Sequence, residues 1–299
     1  MQTRIGDLAQ ADRMTSLLLQ TQSRTRVTQA QISTGKTSDR FQGLAPEVER
    51  LINVKIGLEE NRQLQDNNNF ANRKLTVMES AVAALMDTAT RAQTLAIQRT
   101  NDGSSFPGMM SPEFESLLDQ AVGLLNSDME GRYLFGGSRT DRSPVALDPA
   151  FVNFGMADDT YYQGDDIELH VRADTNVEIA YSMSADRSGF QELIGGLRGL
   201  ITGDQLDDSD MLENSLGLIH DSLGKIADYQ AEIGTRQNLL DRINVRHADT
   251  ELYLENRISE IEDIDVTEAI TRLARDQIML ESAMATISRL NQMSLVDFL

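Results

Sequence analysis

Cysteine and tryptophan are both absent from the 299 residues. The first absence excludes disulfides, thiol nucleophiles and cysteine-held metals. For a chain that leaves the cell, it means stability without covalent staples. The second, with only 5% Phe, Trp and Tyr, points to aliphatic helix packing rather than an aromatic-rich β core. No run approaches the ~20 apolar residues of a membrane span. The opening stretch MQTRIGDLAQADRMTSLLLQ lacks the long apolar core and small-residue cleavage site of a secretory leader, so any export is expected to remove no segment of that kind.

Basic residues are also in short supply. The chain has 47 acidic and 27 basic side chains, a net charge of -20. That argues against a partner bound by neutralising phosphates, whether nucleic acid or an anionic membrane. Residues 1–45 carry +3, residues 46–140 carry -4, residues 141–265 carry -18 and residues 266–299 carry -1. An acidic middle reads as a solvated exterior, and near-neutral ends suit packing against like copies.

What the chain does have is helical periodicity. From Leu212, steps of four and three land on Leu216, Ile219, Leu223, Ile226, Gln230, Ile233, Gln237, Leu240, Asn244, His247, Glu251, Leu254, Ile258 and Ile261, seven heptads without a slip. One narrow seam on so long a helix must bury against another helix. At ~1.5 Å per residue this helix runs on the order of 75 Å. Gln230, Gln237 and Asn244 repeat at one seam position, where polar groups set register at some cost in stability. His247, one turn before Glu251, reads as a hydrogen-bonded structural residue in preference to a metal or acid–base site.

The partner stripe is Leu75, Met78, Val82, Leu85, Ala89, Ala92 and Ala96, preceded by Val48, Leu51, Lys55 and Leu58, with Pro46 as first helical residue. After the break NDGSSFPGMMSP, Ser111 and Pro112 are read as cap and first residue of a helix running through Phe114, Leu117, Leu118, Ala121 and Leu125 to Gly131. From about 132 to 185 the period changes to 2. Ile167, Leu169 and Val171 alternate with polar residues, as do Val177, Ile179 and Tyr181, with ADTN as the turn between. Asp158, Asp159, Asp165 and Asp166 fit no calcium loop and read as solvated turns. Asp210 and Glu213 read as a capping box opening the long helix. SGFQELIGGLRGLITGDQ reads as a short helix whose glycines make no phosphate loop.

The last helix is expected to begin near Asp265, with Glu268 completing a capping box. Its stripe is Ile270, Leu273, Gln277, Leu280, Met284, Ile287 and Asn291, and the chain closes on Leu290, Leu295, Val296, Phe298 and Leu299. The first helix, about 14 to 33, carries Met14, Leu18 and Ile32, but Thr21, Thr25 and Thr28 fill half its seam. One buried Leu or Ile contributes roughly 1.5–3 kcal/mol, while ordering one residue's backbone costs roughly 1–2 kcal/mol. So poor a seam is marginal alone, and residues 1–40 and 266–299 are expected to order only when packed with neighbouring copies. That accounts for an oily terminus on an acidic chain. No zinc-protease, serine-hydrolase, Walker or dinucleotide motif is present. The chain is read as a non-enzyme without metal or cofactor.

QAQISTGKTSDR, the helical hairpin, the β insertion and the returning helix with its apolar tail resemble the bacterial flagellin superfamily. Within it, LLNSDMEGRYLFGGSRTDRSPV, YYQGDD and the terminal LVDFL are similar to the branch at the hook–filament junction. SDRFQGLAPEVERL lacks the double-Asp, double-Ala stretch of many filament flagellins. The resemblance implies a mainly α structural protein: a long antiparallel helical rod or coiled coil formed by the N- and C-terminal segments, with a small inserted β domain. Its parts are expected to be a terminal assembly domain (1–45 with 265–299), a helical rod (46–131 with 186–264) and an outer β domain (132–185). The implied partners are further copies in a ring, the first hook-associated protein, flagellin and a cytoplasmic export chaperone on the C-terminal helix. Export is expected through the flagellar type III channel. Filament flagellin is the rival reading. A secreted coiled-coil adhesin or a type III translocator is the other, and it would want a membrane-active segment.

Overall fold

The structure, a computed structural model, describes the backbone of residues 2–38, 47–101, 106–148 and 155–296, and side chains from 12 to 288 within those limits. Among them are six helices: α1 (Gln2–Thr34), α2 (Val48–Asn101), α3 (Ser111–Leu125), α4 (Ser188–Leu206), α5 (Ser209–Glu262) and α6 (Val266–Val296). Two antiparallel hairpins complete the description, β1 (Asp128–Met129) with β2 (Arg132–Tyr133), and β3 (His170–Asp174) with β4 (Val177–Ala180). The fold is mainly α with a small β region. The expected helix start at Pro46 lies outside the described residues.

The chain divides into two compact units, one of residues 1–60 with 250–299, the other of residues 61–249. In the second unit α2 and α5 run antiparallel. Ascending α2, the polar pairs are Asn68 with Asn244, Asn72 with Asp241, Glu79 with Gln237 and Gln93 with His220. Between these rungs Leu75, Met78, Val82 and Leu85 bury against the same core as Ile219, Ile226, Ile233 and Leu240, with Leu216 and Leu223 half-buried beside them. Gln237 and Asn244 thus set the register of the seam by hydrogen bonds to α2.

The same core continues through Phe114, Leu117, Ala121 and Leu125 of α3, Phe135, Tyr161 and Val171 of the inserted segment, and Phe190, Leu193 and Leu197 of α4. The two sequence signatures of the insertion meet there. Phe135 packs edge-on against Phe190, with ring centroids 6.1 Å apart. Asp165 receives hydrogen bonds from the amide and hydroxyl of Ser138 at 2.7 and 2.6 Å. Gly137 has φ +67 and faces the backbone of Asp165 where a Cβ would sit, so only glycine closes this corner without strain. On α4, a Cβ at Gly196 would come 2.7 Å from Ile219 and 3.1 Å from the Ser215 carbonyl. The glycine-rich helix therefore works by close approach to α5.

Several local expectations are corrected. The third helix stops at Leu125, not Gly131. Asn126 accepts from Val145 N and donates to Val145 O, and Glu130 and Gly131, with φ 57 and 76, form the β1–β2 turn. Met110, not Ser111, is the N-cap of α3. Capping comes from a distant residue: Asp204 of α4 accepts from Met110 N, Ser111 N and Ser111 Oγ at 2.8–2.9 Å. Asp208, not Asp210, caps α5, accepting from Asp210 N and Met211 N. Asp158 is no solvated turn. It is buried and paired with Arg198 at 2.8 Å. Asp265 does cap α6, through the amides of Thr267 and Glu268.

In the first unit α1 packs along α6. A smaller core of Leu51 and Ile261, with Val48 and Ile258 against it, joins α2 to α5, and Leu254 lies half-buried, 3.9 Å from the position of a Cβ on Gly57. Glu262 fastens three elements. It accepts from Lys36 at 2.8 Å and from Lys55, while its carbonyl accepts from Thr37 N at 2.7 Å. Burial pushes its carboxyl upward, but the hydrogen bonds from Lys36 and Lys55 outweigh this and hold it below the usual range.

Candidate assembly surface and family

The α1/α6 seam is polar. From α1 it buries Thr21, Thr25 and Thr28, and from α6 Ala269 and Asp276. Thr21 and Thr25 direct their hydroxyls to their own helix, onto the carbonyls of Leu17 and Thr21. The Asp276 carboxylate has Arg24 at 3.8 Å, too far for a hydrogen bond. Met14, Leu18 and Ile32, with Leu273, Leu280 and Ile287, are only half-buried.

Other apolar residues of the same helices face out. Ile270, Ile278, Met279 and Met284 of α6 are 51–64% exposed, and Leu17, Leu19 and Val27 of α1 are 55–58% exposed. The predicted α6 stripe is thus split. Leu273, Leu280 and Ile287 turn toward α1, whereas Ile270 and Met284 lie on the neighbouring flank. Leu17, Leu19, Val27, Ile278 and Met279 were invisible to a 3-4 pattern because they fall off it, and their signal is apolar surplus beyond one stripe. The side chains of Leu290, Leu295 and Val296, and all of Phe298 and Leu299, lie outside the described residues.

In the second unit the described histidine and lysine side chains are held in structural contacts or lie at the surface. His247 is buried, with Nδ1 2.8 Å from Oδ1 of Asn61 and Nε2 2.9 Å from the carbonyl of Ala173. Asn68 donates to that same carbonyl at 3.0 Å. The seam histidine therefore helps anchor β3 on the helices, a role read from sequence only as structural, since Ala173 is far away along the chain. His170 and His220 are exposed. Lys74 is buried between the rings of Phe70 and Tyr181, 5.0 and 5.2 Å from their centroids. Desolvation, with help from nearby Arg132, pushes its ammonium below the usual lysine range. Among the described residues no group of three or more His, Asp or Glu is arranged to hold a metal ion, and no helix is long and apolar enough to cross a membrane.

A mainly helical chain, with the first and last of its described helices side by side and large apolar side chains exposed on both, is the class these features define. The model of the bacterial flagellin N-terminal helical region matches residues 5–140, and that of the C-terminal helical region matches residues 216–299. The chain belongs to the bacterial flagellin family. It is 22% identical to flagellar hook-associated protein 3 of Escherichia coli K12, over 76% of this chain and 77% of that one. Its fold is similar to the crystal structure of FlgL from Bacillus cereus, with a TM-score of 0.58 and 20% identity over 69% of this chain and 98% of that one. It is also similar to the flagellar junction protein FlgL from Legionella pneumophila, with a TM-score of 0.51 and 15% identity over 64% of this chain and 99% of that one.

Proposed function

We propose that this flagellin-family chain is the hook–filament junction subunit of a bacterial flagellum. In this reading, copies form a ring between the first hook-associated protein and the first layer of flagellin. The observation that carries self-assembly is the inverted polarity of α1 and α6: threonines and an aspartate lie inside their seam, with Ile270, Ile278 and Met284 outside it. A helix pair that leaves its best apolar surface in water lowers its free energy by covering that surface, at roughly 25 cal/mol per Å2. Placing the ring at the junction, and not along the filament, is supported by the relatives, which carry hook-associated and junction names. Residues 1–45 with 265–299 then form the assembly domain, ordering fully as neighbours add. Residues 46–131 with 186–264 form the rod, and residues 132–185 the outer domain. Export through the type III channel leaves the terminal helix to a cytoplasmic chaperone until assembly.

A strain deleted for this chain tests the proposal by electron microscopy. It is expected to carry hooks without filaments and to shed monomeric flagellin, and filaments attached as in the parent would refute it. Quantitation should find a single ring per flagellum, where a filament protein would number in the thousands. Complementation with the chain truncated before residue 290, or carrying Ile270→Asp with Ile278→Asp, should fail although both variants melt like the parent. Full complementation by the double variant would remove the proposed role of the outward stripe.

A further inference from the structure

The three most exposed large apolar side chains among the described residues are Phe106, Met109 and Leu206, at 77, 67 and 66%. They sit together. Gly108 N donates to the carbonyl of Asp204 at 2.8 Å, which ties the segment before α3 to the end of α4. The Asp204 side chain is fully buried beneath them. It holds Met110 and Ser111 as described above and takes the Arg99 guanidinium at 2.5 Å. Arg99 reaches on to Asp207, also at 2.5 Å. The cluster is therefore a knob on a fixed base. Its rim is acidic, because Glu113 lies in the first turn of α3 and Asp210 in that of α5, both exposed, whereas Asp207 beside Leu206 is neutralised by Arg99.

Such a knob calls for an apolar face edged with positive charge, and the chain holds one. Residues 12–34 contain three arginines and one aspartate. On the side of α1 away from Thr21, Thr25 and Thr28, Leu19 and Val27 are exposed together with Arg26. Ser23 between them, and Ala30 about one turn beyond Val27, are small enough to admit a bulky side chain.

We propose that the Phe106–Met109–Leu206 knob of one copy docks on the Leu19–Arg26–Val27 face of α1 of a second copy. The contact joins two different surfaces of the same chain, and head-to-tail contacts of that type close into rings or continue as helical rows. This rests on the assembly reading above and adds to it the surfaces that meet.

The test uses the full chain with a photoreactive benzoylphenylalanine at position 106, irradiated at concentrations where the unmodified chain self-associates. The expected product joins position 106 to residues 16–30 of another copy. Arg26→Glu should reduce its yield about tenfold, the scale of one well-placed interface charge, and Glu113→Arg in the same chain should recover much of it. Crosslinks elsewhere on the second copy or to another flagellar protein, or a yield indifferent to Arg26, would overturn the contact while leaving self-assembly standing. A chain that neither self-associates nor restores filaments to the deletion strain would overturn both.

Discussion

Two antiparallel helix pairs in this chain use the same 3-4 spacing to opposite ends. The α2/α5 pair of the second unit buries Leu75, Val82, Leu85, Ile219, Ile226 and Ile233 completely and keeps its polar residues paired across the seam. The α1/α6 pair buries threonines, an alanine and an aspartate, and leaves Leu19, Val27, Ile270 and Ile278 in water. Each large aliphatic group transferred from water contributes roughly 1.5–3 kcal/mol, so the first pair is finished within one chain. The second is not. Periodicity announces that a helix has a partner, and the residue types at the seam decide whether that partner completes it.

The sharpest way to break the comparison is to place one charge in each pair. Ile226→Asp should cost about 4 kcal/mol or more, since it buries an unpaired carboxylate, and circular dichroism should show early melting. Ile278→Asp should shift the same transition by less than about 0.5 kcal/mol, the usual range for an exposed site. Equal effects would mean that the two seams do not differ as described. Next in size is Asp204→Ala, at about 3 kcal/mol, because Arg99 and the start of α3 lose a buried partner.

The Asp204 carboxyl also sets a pH limb. Desolvation raises it, but hydrogen bonds from Arg99, Ser111 and Met110 bring it below the ordinary carboxylate range. Its contribution is present above about pH 4, the unfolded value, and is lost as the pH falls further through the lower folded value. Glu262 behaves likewise in the first unit. Acid titration of the melting temperature should therefore be flatter in Asp204→Asn and Glu262→Gln than in the parent, and unchanged slopes would contradict these pairings.

His247→Ala should cost about 1–3 kcal/mol by leaving Asn61 and the Ala173 carbonyl short of a partner. Amide exchange should accelerate in β3 more than in α5. Of opposite sign, and smaller than the core changes, is Asp276→Leu. Replacing a buried carboxylate that lacks a close partner should stabilise the α1/α6 pair by about 1 kcal/mol. It should slow exchange along residues 14–32 and leave the second unit unaltered. Faster exchange there would show that Asp276 holds the seam together.

The heptads from Leu212 to Ile261 and from Leu75 to Ala96 determined by themselves that two long helices exist and that they pair, because a 3-4 apolar stripe has no other way to leave water. The cap at Asp265, the strands around Val171 and Ile179, and the threonine-rich first seam were legible for the same reason: each depends on residues close together in sequence. Tertiary structure alone decided what joins across distance. It brought Asp204 to the start of α3, Asp158 to Arg198, and Asn68 with His247 to the carbonyl of Ala173. It also chose which flank of α6 faces α1. Polar partners and helix rotation are set by three-dimensional approach, and one-dimensional spacing holds no record of it.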